Sequence, residues 1–157
     1  MRQMSQPTTG RSLANELAER VPAKAAARLC VGIDLVEITQ ISNSLARFGQ
    51  RFMSRLFTPA ELAYASASPP LMAERLAARF AAKEAALKAF DMAESGIDWR
   101  DIEVVKREDG SCTLALHRKA ARVAHEIGVS DIGLSLSHDG LYAAAVVTAL
   151  PALPPHL

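Results

Sequence analysis

Arg79-Phe80-Ala81-Ala82-Lys83-Glu84-Ala85-Ala86-Leu87-Lys88 lies in a helix that the sequence predicts from Leu71 to about Phe90. Alanine, leucine, lysine and glutamate are strong helix formers, and Pro69-Pro70 ends whatever element comes before. At 3.6 residues per turn, positions 80, 84, 87 and 88 share one side, with 79, 83 and 86 flanking it. A carboxylate is thus expected within a basic rim, on a helix whose remaining surface is small enough for close packing.

The pattern extends in both directions. Upstream, Thr58-Pro59-Ala60-Glu61 is a helix start: Thr58 caps, Pro59 takes the first helical position and Glu61 completes a capping box. An earlier helix runs to about Phe57, preceded by a strand over Arg28–Ile38 with Val31, Ile33 and Leu35 on one face. Downstream, strands over Glu103–Glu108 and Ser111–Leu116 flank Asp109-Gly110, a hairpin-turn signal. A helix over Arg118–Ile127 then leads to strands at 131–138 and 141–149, joined at Asp139-Gly140. The order β, α, α, α, β, β, α, β, β predicts an α+β domain with an antiparallel sheet, over residues 29–149. Residues 1–28 read as an extension, disordered over 1–11. Leu13, Leu17 and Val21 then recur every four residues, which predicts a short amphipathic helix between Ser12 and Leu29. Residues 150–157 read as a tail.

The 157 residues suit one domain, and 50% hydrophobic content supplies a core. A net charge of +1 argues against a general nucleic-acid binder. Yet Arg47, Arg51, Arg55, Arg75, Arg79, Lys83 and Lys88 gather in the central third, enough for a local anion site. Cys30 and Cys112, far apart and without a nearby Cys or His at ligand spacing, read as reduced thiols of a cytoplasmic protein rather than a zinc site. No apolar run approaches the roughly 18–20 residues of a membrane span. Glu16, Glu19 and the lack of an apolar core in residues 1–28 argue against a signal or transit peptide.

Asp34, in Val31-Gly32-Ile33-Asp34, stands fifty positions before Glu84. Alone, a strand-end aspartate starts an Asx turn or caps the next helix. Glu84 and Lys88 alone form an i,i+4 pair worth about 0.3–0.5 kcal/mol. Together the two carboxylates match Mg²⁺, which takes one or two protein carboxylates and fills its other positions with phosphate oxygens and water. The neighbouring cations suit a phosphorylated substrate. In Ser135-Leu136-Ser137-His138-Asp139-Gly140, Leu134 and Leu136 take one face, Ser135 and Ser137 the other, and His138 and Asp139 the turn. That tip is either a polar hairpin end or a place for an imidazole that binds phosphate or moves a proton. His117 and His125 read as surface residues, and no G-x-S-x-G elbow surrounds Ser137.

With Gly32-Ile33-Asp34, Phe57-Thr58-x-x-Glu61, Arg79 to Ala85 with Lys88-Ala89, Glu103-Val104 and Ser135-Leu136-Ser137-His138 in this order, the chain resembles the holo-(acyl-carrier-protein) synthase family. These are the short 4′-phosphopantetheinyl transferases, and the resemblance spans about residues 29–148. It implies that fold, with the Lys-Glu-Ala motif on the long helix. It also implies transfer of 4′-phosphopantetheine from coenzyme A to a serine of an apo acyl carrier protein, releasing adenosine 3′,5′-bisphosphate, in fatty acid biosynthesis and lipid metabolism. Asp34 and Glu84 would hold Mg²⁺ against the pyrophosphate, with Lys83 a second positive contact and Arg79 and Lys88 holding phosphates. His138 with Ser137 would contact the adenosine 3′-phosphate region. A metal-oriented water, Asp139 or Glu84 would deprotonate the incoming serine. The family forms homotrimers with shared sites, so His138 is expected from a neighbouring subunit.

The chain also departs from the family pattern. Gln40 stands where an arginine usually meets the acidic helix of the carrier. Arg47, Arg51 and Arg55 are either a substitute basic stripe or a solvated helix face. Phe90-Asp91-Met92-Ala93-Glu94-Ser95-Gly96 replaces a Gly-rich loop, and Leu71-Met72 replaces basic residues, with Arg75 one turn later. A specialised carrier is therefore expected. The rival readings are a non-enzymatic paralogue that binds coenzyme A or a carrier protein, and an unrelated structural domain.

Overall fold

The computed structural model describes residues 29–151, so the amphipathic segment expected before Leu29 and most of the tail lie outside the described residues. Strand β1 (Cys30–Glu37) pairs antiparallel with β5 (Tyr142–Pro151), which pairs antiparallel with β4 (Val129–Asp139), giving the order β1-β5-β4. Strands β2 (Ile102–Lys106) and β3 (Cys112–Leu116) form a separate two-stranded ribbon. Among the described residues four α-helices complete the α+β domain: α1 (Ile38–Leu56), α2 (Pro59–Ser66), α3 (Met72–Ala89) and α4 (Arg118–Glu126). The one sheet expected from the strand pattern is thus two. The ribbon turns Ile102, Val104 and Leu114 into the core without joining the β5 ladder.

Helix α3 lies against β1 and β5, through a surface of small residues. Its buried Ala77, Ala78, Ala81, Ala82, Ala85 and Ala86 meet a sheet face that carries Ala143, Ala145, Val147 and Ala149. Gly32 permits the closest approach. A Cβ there would sit 2.7 Å from the Ala89 nitrogen and 2.9 Å from the Ala85 carbonyl carbon, distances no real Cβ tolerates.

The capping box of α2 forms as its sequence predicts. Thr58 Oγ1 accepts from the Glu61 amide at 3.2 Å, and Glu61 Oε2 accepts from the Thr58 amide at 2.9 Å. Helix α1 carries a break its sequence does not announce. Gly49 has φ 63° and ψ −159°, a backbone region essentially reserved for glycine, and it kinks the helix between Arg47 and Arg51.

Val31, Ile33 and Leu35 share a face of β1, but it points away from α3. They are 54%, 64% and 63% exposed. Across the ladder they neighbour Thr148, Val146 and Ala144. The three-stranded sheet therefore has one face under α3 and one that no described element covers.

Candidate active site

Gly32 and Asp34 alternate with the exposed β1 residues, so the Asp34 carboxylate points toward α3. Asp34 sits inside β1, paired with Ala145, and the α1 cap position belongs to Glu37. The turn or cap role open to a strand-end aspartate is therefore not the one it takes. Lys88 Nζ donates to Asp34 Oδ1 at 2.6 Å and to the Ile33 carbonyl at 3.2 Å. Glu84, one turn earlier on α3, completes the group. Partial burial pushes its carboxyl pKa up, repulsion from Asp34 adds to the rise, and Lys88 opposes it. The Lys88 pKa is raised, chiefly by its hydrogen bond to Asp34. Close α3–β1 packing thus brings together two carboxylates fifty residues apart. Among the described residues no cluster of three His, Cys, Asp or Glu side chains is placed to hold a metal ion. Two hard oxygen donors that repel one another suit an ion such as Mg²⁺, which needs no more than that from a protein.

A second group lies around the first half of α3. Tyr64, Glu74, Arg75, Arg79, Lys106 and His138 help line a cavity of about 290 Å³. His138 Nε2 is 3.4 Å from Glu74 Oε1. The guanidinium groups of Arg75 and Arg79 lie 4.6 and 4.1 Å from the Tyr64 ring centroid. Arg79 is buried and bonds the Arg75 carbonyl at 3.1 Å, while its Nε has no hydrogen-bond partner. Burial pushes its pKa down, against the pull of Glu61. Glu74 and Glu84 are ten positions apart, about 15 Å along α3. Within one chain the structure therefore holds His138 apart from the Asp34–Glu84 pair.

Two members of the expected basic rim turn inward. Lys83 is fully buried, with Nζ 2.9 Å from Glu61 Oε2, 3.0 Å from the Trp99 carbonyl and also bonded to the Ile102 carbonyl. Burial lowers its pKa and Glu61 opposes the change. The phosphate contact expected of Lys83 is corrected: its ammonium is spent inside the protein. Arg79 faces the His138 cavity, so Lys88 is the rim cation that reaches the carboxylates. Glu61, legible in the sequence only as a local cap, also accepts from the Val104 amide at 2.9 Å.

Ser137 and His138 alternate on β4, so they face opposite sides of the sheet, with Ser137 on the uncovered one. Asp139, exposed, ends the strand opposite Tyr142. His117, expected at the surface, is half-exposed and held by Glu103 at 2.7 Å. Gln40, Arg47 and Arg51 are exposed on α1, but the Gly49 kink interrupts the stripe of Arg47, Arg51 and Arg55. Arg51 and Arg55 instead flank Phe48 and Phe52 around a shallow depression of about 420 Å³.

Residues 30–147 match the family model described as the 4′-phosphopantetheinyl transferase superfamily, which is the class this fold defines. The holo-[acyl-carrier-protein] synthase of Koribacter versatilis is 46% identical over 120 residues, 76% of this chain and 95% of its own length. That of Moorella thermoacetica is 45% identical over 115 residues, 73% of this chain and 88% of its own. Among solved structures, the Chronobacterium ammoniagenes ACPS-CoA complex superposes with a TM-score of 0.70 at 33% identity, covering 80% of this chain and 98% of that one. The chain belongs to the holo-[acyl-carrier-protein] synthase family.

Proposed function

We propose that this protein transfers the 4′-phosphopantetheine group of coenzyme A to a serine hydroxyl of an apo acyl carrier protein. The P–O bond from the β-phosphorus to the leaving adenosine phosphate breaks as the serine oxygen bonds that phosphorus, and adenosine 3′,5′-bisphosphate departs. The observation that carries the reading is the meeting of Asp34 and Glu84 beside Lys88, in a chain of this family.

Asp34 and Glu84 would hold Mg²⁺, which would supply positive charge to the pyrophosphate and the leaving phosphate. Lys88, half-exposed and already turned toward Asp34, adds a positive contact for the pyrophosphate. Arg79, with Arg75 and His138, receives the 3′-phosphate end. Ser137 faces away from that cavity, so it acts there only through a neighbouring copy or not at all. Glu84, Asp139 or an ordered water takes the serine proton.

The working assembly is a homotrimer, supported by the uncovered face of Val31, Ile33 and Leu35 and by the separation of His138 from the carboxylates. One copy supplies Asp34 and Glu84 and its neighbour His138, in heterologous contacts that close as a three-fold ring. The carrier docks on α1 at Gln40, Arg47 and Arg51. Gln40 points to a specialised carrier within cytoplasmic fatty acid or related lipid metabolism.

The test is to incubate the protein with coenzyme A, Mg²⁺ and a panel of apo carrier proteins, and to read the phosphopantetheine addition by mass spectrometry. Addition to at least one carrier is expected. Tight coenzyme A or carrier binding with no addition to any carrier would replace the transferase with a non-enzymatic paralogue. The shared site predicts that mixing inactive Glu84→Ala and His138→Ala proteins restores part of the activity. Full activity from a species that sediments as a monomer would exclude the trimer.

A further inference from the structure

We infer that Lys83 and Glu61 are a positioning pair that pins the rotation of α3, and so aims Glu84 at Asp34. The inference deepens the proposed transferase reading, because it rests on Asp34 and Glu84 being the metal-holding carboxylates.

A lysine ammonium has three donors. Here they meet three acceptors: Glu61 Oε2 at 2.9 Å, the Trp99 carbonyl at 3.0 Å and the Ile102 carbonyl. Glu61 is equally satisfied, taking the Val104 amide on one oxygen and the Thr58 amide and Lys83 on the other. Both side chains have no exposed surface. No donor of Lys83 is left for a phosphate.

What the pair joins explains its use. Lys83 leaves α3 about 100° around the helix from Glu84. Its partners belong to the start of α2 and the chain entering β2, on the side away from β1. Toward β1 and β5, α3 presents mainly alanines, whose side chains carry no directional polar group. A satisfied buried ion pair supplies the directional constraint that such packing lacks. It extends outward through Thr58, whose hydroxyl donates to Glu103 Oε1 at 2.9 Å.

The experiment compares Lys83→Met, Glu61→Gln and the charge-free double variant Glu61→Leu/Lys83→Met with the wild type. Mn²⁺ alone is titrated calorimetrically, adenosine 3′,5′-bisphosphate is titrated without metal, and circular dichroism establishes folding. Each single variant is expected to lose roughly 10–100-fold in Mn²⁺ affinity, the range for residues that orient a metal ligand. Bisphosphate affinity without metal should stay at the wild-type level. The double variant, with no unpaired buried charge, keeps the protein testable if a single variant fails to fold, and should show the same Mn²⁺ loss. Wild-type Mn²⁺ affinity in the folded double variant overturns the pair. So does a Lys83→Met protein that loses bisphosphate affinity while Glu61→Gln is silent, since that marks a direct contact. A wild type that binds Mn²⁺ through Asp34 and Glu84 yet modifies no carrier refutes the transferase reading while leaving the Mn²⁺ comparison decisive for the pair.

Discussion

Gly32→Ala places one methyl group in the contact that creates the site. The added carbon would stand 2.7 Å from the Ala89 nitrogen and 2.9 Å from the Ala85 carbonyl carbon, with the Ala85 oxygen closer still. All are backbone atoms, so no side chain can swing aside. Ordinary contact begins near 3.4 Å, so α3 must retreat from β1 by about 1 Å or more. Overpacking of this kind costs about 1–3 kcal/mol. With a urea dependence of about 1–3 kcal/mol per molar, the unfolding midpoint should fall by about 1 M. The same movement separates Glu84 from Asp34, and a misplacement of about 1 Å costs on the order of 10²-fold in rate. Urea unfolding by circular dichroism and carrier modification by mass spectrometry read the two effects. A variant with wild-type midpoint and wild-type turnover would refute the claim that glycine is needed for the β1–α3 approach. A loss of stability with unchanged turnover would cut the link between that approach and the site.

Four further outcomes follow from the geometry. Asp34→Ala and Glu84→Ala should each lower turnover by about 10²–10⁴-fold with the fold intact, and the double variant should be little worse; additive losses, or activity in EDTA, would contradict a shared metal. Glu84 must lose its proton to bind a cation, so Mn²⁺ binding should strengthen as pH rises through its elevated pKa; Lys88→Met removes the one influence that lowers that value and should move the acid limb to higher pH, read by Mn²⁺ titration across pH. Gln40→Arg should reduce KM for a typical acidic carrier with little change in kcat, whereas Arg47→Glu/Arg51→Glu should raise KM; silence of both would remove the carrier from α1. Ile33→Arg, at a position 64% exposed in the single chain, should leave the protomer folded while abolishing assembly and turnover, checked by sedimentation and the mass assay; a trimeric, active variant would put the interface elsewhere.

The element order was legible because its signals are local. The capping box at Thr58–Glu61, the Asp109-Gly110 turn and the alternation around Leu134 and Leu136 each act within a few residues, and each element forms where they put it. The meaning of Gly32 was not legible, since its constraint comes from Ala85 and Ala89 on another element. Lys83 misled for the same reason. A basic residue on an alanine-rich helix reads as a rim cation until Glu61, Trp99 and Ile102 are seen to enclose it. Helical periodicity reports which residues share a side, but not which side meets solvent. Nor does the sequence around Phe48-Gly49-Gln50 mark a break, because a single glycine is tolerated inside a helix and only its φ of 63° shows that the freedom is used.

The two clusters on α3 explain why one protomer makes an incomplete site under the proposed reading. Glu84 and Lys88 face β1, whereas Arg79 turns into the cavity shared with Tyr64, Arg75 and His138, so the helix itself stands between them. A coenzyme A molecule cannot place its pyrophosphate at Asp34 and its 3′-phosphate beside His138 of the same chain without passing around α3. Two copies remove the conflict if the first group of one faces the second group of the other. The apolar row Val31, Ile33 and Leu35 gives such an arrangement a surface to bury. Alternation along β1 then links assembly to chemistry residue by residue. Gly32 and Asp34 lie against α3, while Val31, Ile33 and Leu35 alternate with them on the uncovered face, where the proposed trimer would seat its neighbour.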